Sequence, residues 1–190
     1  MKKPHDIESR RIAVIGGTLD GKSSMADGIA RGYALTHGLR AIVFDPWKRE
    51  EKPHDWGKFA WVTDDFDAFR RAVANTRGCV VVWDEGTSYG GRDRENIALF
   101  TAVRHRHPVM IFIGHNYSVM LPVMRESLSE VLLAKRTVED ATAWGNVFVD
   151  MEVRELAPRL EPYEFLHKRK HQPCRVLKHT PEELARGVML

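Results

Sequence analysis

The chain has 190 residues, 43% of them hydrophobic, a formal net charge of +3 and two cysteines. That length and apolar content suit one compact domain over 1–190, and no apolar run approaches the roughly 20 residues that a membrane helix needs. A soluble protein without a signal peptide is expected, and Cys79 and Cys174 form no disulfide framework, which suits a reducing cytoplasm.

In chain order, the apolar run Ile12 to Ile15 predicts a strand over 11–15. Directly behind it, Gly16-Gly17-Thr18-Leu19-Asp20-Gly21-Lys22-Ser23 fits G-x-x-x-x-G-K-[ST], the P-loop pattern, and a helix is expected over 22–37. Glycines let successive backbone N–H groups curl around phosphate oxygens, and the N-terminus of the following helix reinforces that anion site. Lys22 adds a positive charge, and the Ser23 hydroxyl is placed to bind Mg2+; with Ser24, the stretch from Gly16 is the expected ATP cradle.

A strand over 40–44 leads into Asp45 to His54, a polar, proline-bounded loop, followed by a strand over 59–62 and a helix over 65–76. Trp47, Trp56 and Trp61 either cover the core or stack on a base. The run Cys79-Val80-Val81-Val82-Trp83-Asp84-Glu85 then reads as a strand over 79–84 ending in two acids, the acidic partner of a P-loop. Asp84 would hold Mg2+ through its water shell, and Glu85, one residue on, would polarise an attacking water. That second carboxylate argues against a simple kinase.

The loop from Gly86 to Arg94 carries three glycines, Tyr89 and two arginines, a composition suited to gripping a phosphate backbone or to a plain mobile turn. A helix over 94–106 and strands over 109–113 and 130–134 complete a βα alternation, so a parallel α/β sheet is expected. Beyond residue 135 the periodicity fades until two short strands, 163–166 and 174–177, bracket a basic tip from Lys168 to Pro173. His167, His171 and Cys174 are too few ligands to predict zinc. Pro181 starts a short final helix behind the cap Thr180. The net charge of +3 permits a nucleic-acid partner without demanding one.

Together with Thr101 to Asn116, Leu121 to Ser127 and Val131 to Arg136, these motifs resemble the FtsK/HerA superfamily of DNA-pumping ATPases, over roughly 11–178. The resemblance implies a RecA-like P-loop NTPase of α/β class, with a mostly parallel central sheet flanked by helices and a short C-terminal β-hairpin. In that superfamily an arginine before the fourth core strand reaches the nucleotide of a neighbouring subunit, and a polar residue ending that strand senses the γ-phosphate. Arg104 or Arg106 matches the first, and His115 or Asn116 the second. The usual sensor is glutamine, so His115 is a departure.

A bare domain of this size with no membrane anchor is most similar to the genome-packaging ATPases of tailless, membrane-containing viruses. That likeness implies a ring, as a hexamer, acting on double-stranded DNA in the host cytoplasm or with the virion, docked on capsid or membrane-vertex proteins. The competing expectations are a nucleotide or small-molecule kinase and a nucleotide-dependent binding module with negligible turnover.

Overall fold

The computed structural model of the protein describes residues 7–49, 54–86 and 94–190. Its strands are β1 (Arg10–Ile15), β2 (Arg40–Phe44), β3 (Ala60–Thr63), β4 (Cys79–Trp83), β5 (Val109–Gly114), β6 (Glu130–Leu133), β7 (Glu164–Arg169) and β8 (Arg175–Lys178). The helices are α1 (Lys22–His37), α2 (Phe66–Asn75), α3 (Arg94–Ala102), α4 (Pro122–Ser127), α5 (Val138–Phe148), α6 (Met151–Leu156) and α7 (Pro181–Arg186). One sheet runs β3-β2-β4-β5-β1-β6-β7-β8. The strands from β3 to β6 are parallel, and β7 and β8 join antiparallel, as the expected hairpin.

The central strands are buried on both faces, which is why they read as unbroken apolar runs and do not alternate. Their side chains divide between two layers. Ile12, Val14, Val80, Val82 and Ile111 pack under Met25, Ile29 and Tyr33 of α1. Ala13, Ile15, Val81, Trp83 and Phe112 face Phe69 of α2, Phe100 of α3 and Trp144 and Phe148 of α5. The result is a helix–sheet–helix sandwich with α1 alone against the centre of one face.

Several elements differ from the expectation. The helix over 94–106 stops at Ala102 and tightens into a 3-10 turn, Val103–His105. Between 122 and 156 stand three helices absent from the expectation: α4, a short helix between β5 and β6, and α5 and α6, where the periodicity fades. The basic hairpin tip is also smaller than expected: Lys168 lies within β7, 5% exposed, with its ammonium on the Asp150 carboxylate. Cys79 and Cys174 are free thiols. Trp56 is a core residue, and its Nε1–H donates to Asp45 at 2.9 Å, whereas Trp47 and Trp61 are half exposed.

One ionic cluster ties the sheet together below the loop ends. Arg10 of β1 pairs with Glu130 of β6, which is fully buried, and His167 Nε2 of β7 lies 2.9 Å from the same carboxylate. Arg10 also donates to the Tyr33 hydroxyl of α1 and to the Leu190 carbonyl.

Candidate functional site

Parallel strands deliver their C-terminal ends to one edge, and there the site is assembled. The Gly16 N–H donates to the Gly114 carbonyl at 3.1 Å, so the loop leaving β1 is anchored to the end of β5. Gly21, at φ 81°, turns the chain into α1 through the left-handed region, which glycine enters without cost. Leu19 is also left-handed, at φ 68°, and its side chain is 87% exposed.

Gly16 is required by close approach: a Cβ there would lie 2.9 Å from Asp20 Oδ2 and 3.0 Å from Ala134 Cβ. The Asp20 carboxylate accepts the Gly17 N–H at 2.5 Å, so an anionic oxygen already rests on a loop donor. Lys22 is 8% exposed, and its Nζ donates to the Gly17 carbonyl at 2.7 Å. Burial holds the Lys22 pKa below the ordinary lysine value against the opposing pull of Glu85, Asp84 and Asp20.

Ser23 Oγ donates to Asp84 Oδ2 at 3.0 Å, joining the start of α1 to the end of β4. Burial pushes Asp84 up to about 6. A buried carboxylate beside a hydroxyl is a donor set that fits Mg2+, a hard cation that takes oxygen ligands. Lys22, the loop N–H groups and the helix start fit a polyphosphate equally well. Gly16 to Ser24 would therefore hold the nucleotide phosphates, with Ser23 and Asp84 at the metal.

Glu85 stands next to this pair at φ 48°. His115 Nε2 lies 3.0 Å from both Glu85 oxygens, and the Gly86 N–H donates to the Ile113 carbonyl at 3.1 Å. A Cβ at Gly86 would come 2.2 Å from Cε2 of the buried Phe112, so glycine alone lets the chain turn beneath that ring. Of the two sensor candidates, His115 meets the second acid, while Asn116 is exposed and accepts from the Ser118 hydroxyl.

The arginine candidates lie elsewhere. Arg106 precedes β5 at the opposite edge of the sheet, where its carbonyl accepts the Gly78 N–H at 2.8 Å and its guanidinium donates to the Ala74 carbonyl. Arg104 sits in the 3-10 turn, and its side chain lies outside the described residues, as does the loop from Thr87 to Asp93. Arg136, which motif reading did not single out, does reach the site: it donates to the His115 carbonyl at 2.6 Å and its charge acts on Lys22. Its signal in the sequence was only a basic residue just past an apolar strand.

No protein-family model matches this sequence, and no curated protein matches it either. Solved structures do. The genome-packaging NTPase B204 of Sulfolobus turreted icosahedral virus 2, in complex with ATP-gammaS, superposes with a TM-score of 0.71 at 16% identity, covering 93% of this chain and 98% of that one. The pCW3 conjugation coupling protein TcpA, with ATPgS, gives a TM-score of 0.64 at 15% identity over 94% of this chain and 65% of that one. The N-terminal domain of zonular occludens toxin from Neisseria meningitidis gives 0.54 at 9% identity, over 94% and 98% of the two chains. The fold is that of a RecA-like P-loop NTPase, a mostly parallel eight-stranded sheet flanked by helices. In this fold the loop after β1, the acids after β4 and His115, directly after β5, occupy three neighbouring strand ends, in the sheet order β4-β5-β1.

Proposed function

We propose that the chain is an ATP-driven motor on double-stranded DNA, and that its task is to package a viral genome into a preformed capsid. The observation that carries the reading is the line Ser23–Asp84, Glu85–His115: a metal-binding pair adjoining a carboxylate held by an imidazole. A P-loop kinase has no need of the second acid. Likeness to B204, a genome-packaging NTPase, supports packaging over the other DNA tasks.

In this reading Ser23 and Asp84 would hold Mg2+, which would supply charge neutralisation at the phosphates. Lys22 binds the phosphates, Glu85 takes the proton of the attacking water, and His115 orients Glu85 and reports the γ-phosphate. Arg106 lies at the far edge of its own sheet, so it serves a neighbour's nucleotide, with Arg104 of the adjoining turn as the other donor. The site is then complete only in a ring, a hexamer, whose pore-facing loops grip DNA. An arginine supplied in trans raises turnover by roughly 10³–10⁵-fold in related chemistry.

Steady-state phosphate release is expected to rise with linear double-stranded DNA and to rise more than in proportion to protein concentration, as subunits complete one another's sites. Turnover indifferent to both DNA and concentration would sink the motor reading.

A further inference from the structure

The segment that closes the chain builds a cleft against the P-loop. Residues Glu161 to Glu164 make a turn closed by the Glu164 N–H on the Glu161 carbonyl at 3.1 Å, with Pro162 second and Tyr163 third at φ 65°. The third position of such a turn favours glycine, because φ is positive there. Tyrosine occupies it, is 64% exposed and turns its ring toward the loop: a Cβ on Gly21 would lie 3.5 Å from Tyr163 Cδ1.

The opposite wall is α7, seated on the glycine face of α1. The Val188 N–H donates to the Gly28 carbonyl at 2.8 Å. A Cβ at Gly32 would come 2.1 Å from the Val188 carbonyl oxygen, and one at Gly28 would come 2.8 Å from Leu184 Cδ2. Between these walls is a cleft of about 700 Å³, lined by Gly21, Ser24, Met25, Tyr163, Phe165 and Leu184 among others.

A nucleotide whose phosphates lie on the loop can leave it in two directions. On the Ser23 side, among the described residues, it meets Asp84 and Glu85, two acids that offer a heterocycle nothing to stack on. On the Ser24 side it enters a mostly apolar cleft, with Lys178, His179 and Glu183 also in its lining and an aromatic ring at its mouth. We propose that this cleft takes the base of the bound nucleotide and that Tyr163 stacks on it, the strained turn serving to aim the ring. This rests on the P-loop binding phosphates, as inferred above.

Calorimetric binding of Mg2+-ATP and of Mg2+-tripolyphosphate to the full chain tests it, with Tyr163→Gly and Tyr163→Phe. Wild type is expected to bind ATP at least about 10-fold more tightly than tripolyphosphate. Glycine suits the positive φ, so Tyr163→Gly should keep or raise the thermal midpoint. It should weaken ATP about 10-fold and leave tripolyphosphate unchanged, while Tyr163→Phe retains wild-type affinity for both. Unchanged ATP affinity in Tyr163→Gly overturns the base site while leaving the phosphate site standing, and so does equal loss of both ligands, which would mean that Tyr163 only shapes the loop. Failure of wild type to bind tripolyphosphate overturns the phosphate reading and the base site with it.

Discussion

Replacing Glu85 by Gln lowers steady-state ATP hydrolysis by about 10²–10⁴-fold, the range over which a positioned general base acts, and leaves ATP binding intact. The substitution conserves shape, and an amide oxygen can still accept from His115, which now lies 3.0 Å from both carboxylate oxygens. What is lost is the capacity to take a proton from water. Lys22→Ala should by contrast weaken binding itself, since Lys22 is the buried cation of the loop. Phosphate release and ATP binding measured on the same preparations separate the two. Hydrolysis by Glu85→Gln within a few-fold of wild type would remove Glu85 from the chemistry and revive the kinase reading.

Arg10→Met is expected to destabilise the fold by about 3–5 kcal/mol, because it takes the guanidinium from a fully buried carboxylate and leaves that group to the His167 imidazole. Burial pushes Glu130 up, but the hydrogen bonds from His167 and Arg10 and the charge of Arg10 outweigh it, and the net pKa lies below the ordinary 4.5. A depressed acid stabilises the fold above its unfolded value and loses that contribution as pH falls through the folded one. Wild type should therefore lose stability below about pH 4.5. In Arg10→Met the burial effect dominates, Glu130 protonates more readily, and the gap between the two proteins narrows in acid. Urea midpoints at pH 7 and pH 4 check both statements; an equal gap at the two values would separate the penalty from the ionisation of Glu130.

The legible parts of this protein are those written in contiguous residues. The loop with its lysine, the acidic pair, β2 over 40–44, α1 over 22–37 and α7 behind its Thr180 cap all declare themselves within a few positions. The three middle helices did not. α5 is apolar almost all round its buried side, with Ala141, Trp144, Gly145 and Phe148 inside, and it ends on Val149 at φ 52°, where a glycine would have marked the stop. Its start was marked, by Thr137 accepting the Asp140 N–H.

The contacts that shape the site depend instead on sheet order. His115 and Glu85 are 30 residues apart and meet because β4 and β5 pair in parallel with Trp83 opposite Phe112. Arg136 reaches His115 only because β6 lies on the other side of β1. Lys168 read as part of a basic tip, yet register places it opposite Val131 with Asp150 in reach. No local pattern carries that information.

Movement along DNA is the property that separates a motor from any other ATPase. Displacement of a labelled third strand from a triplex at the far end of a linear duplex measures it, with Glu85→Gln as the control. ATP-dependent displacement by wild type, delayed in proportion to duplex length and absent in Glu85→Gln, is the expected result. Hydrolysis without displacement, at protein concentrations where rings have formed, would contradict a DNA motor.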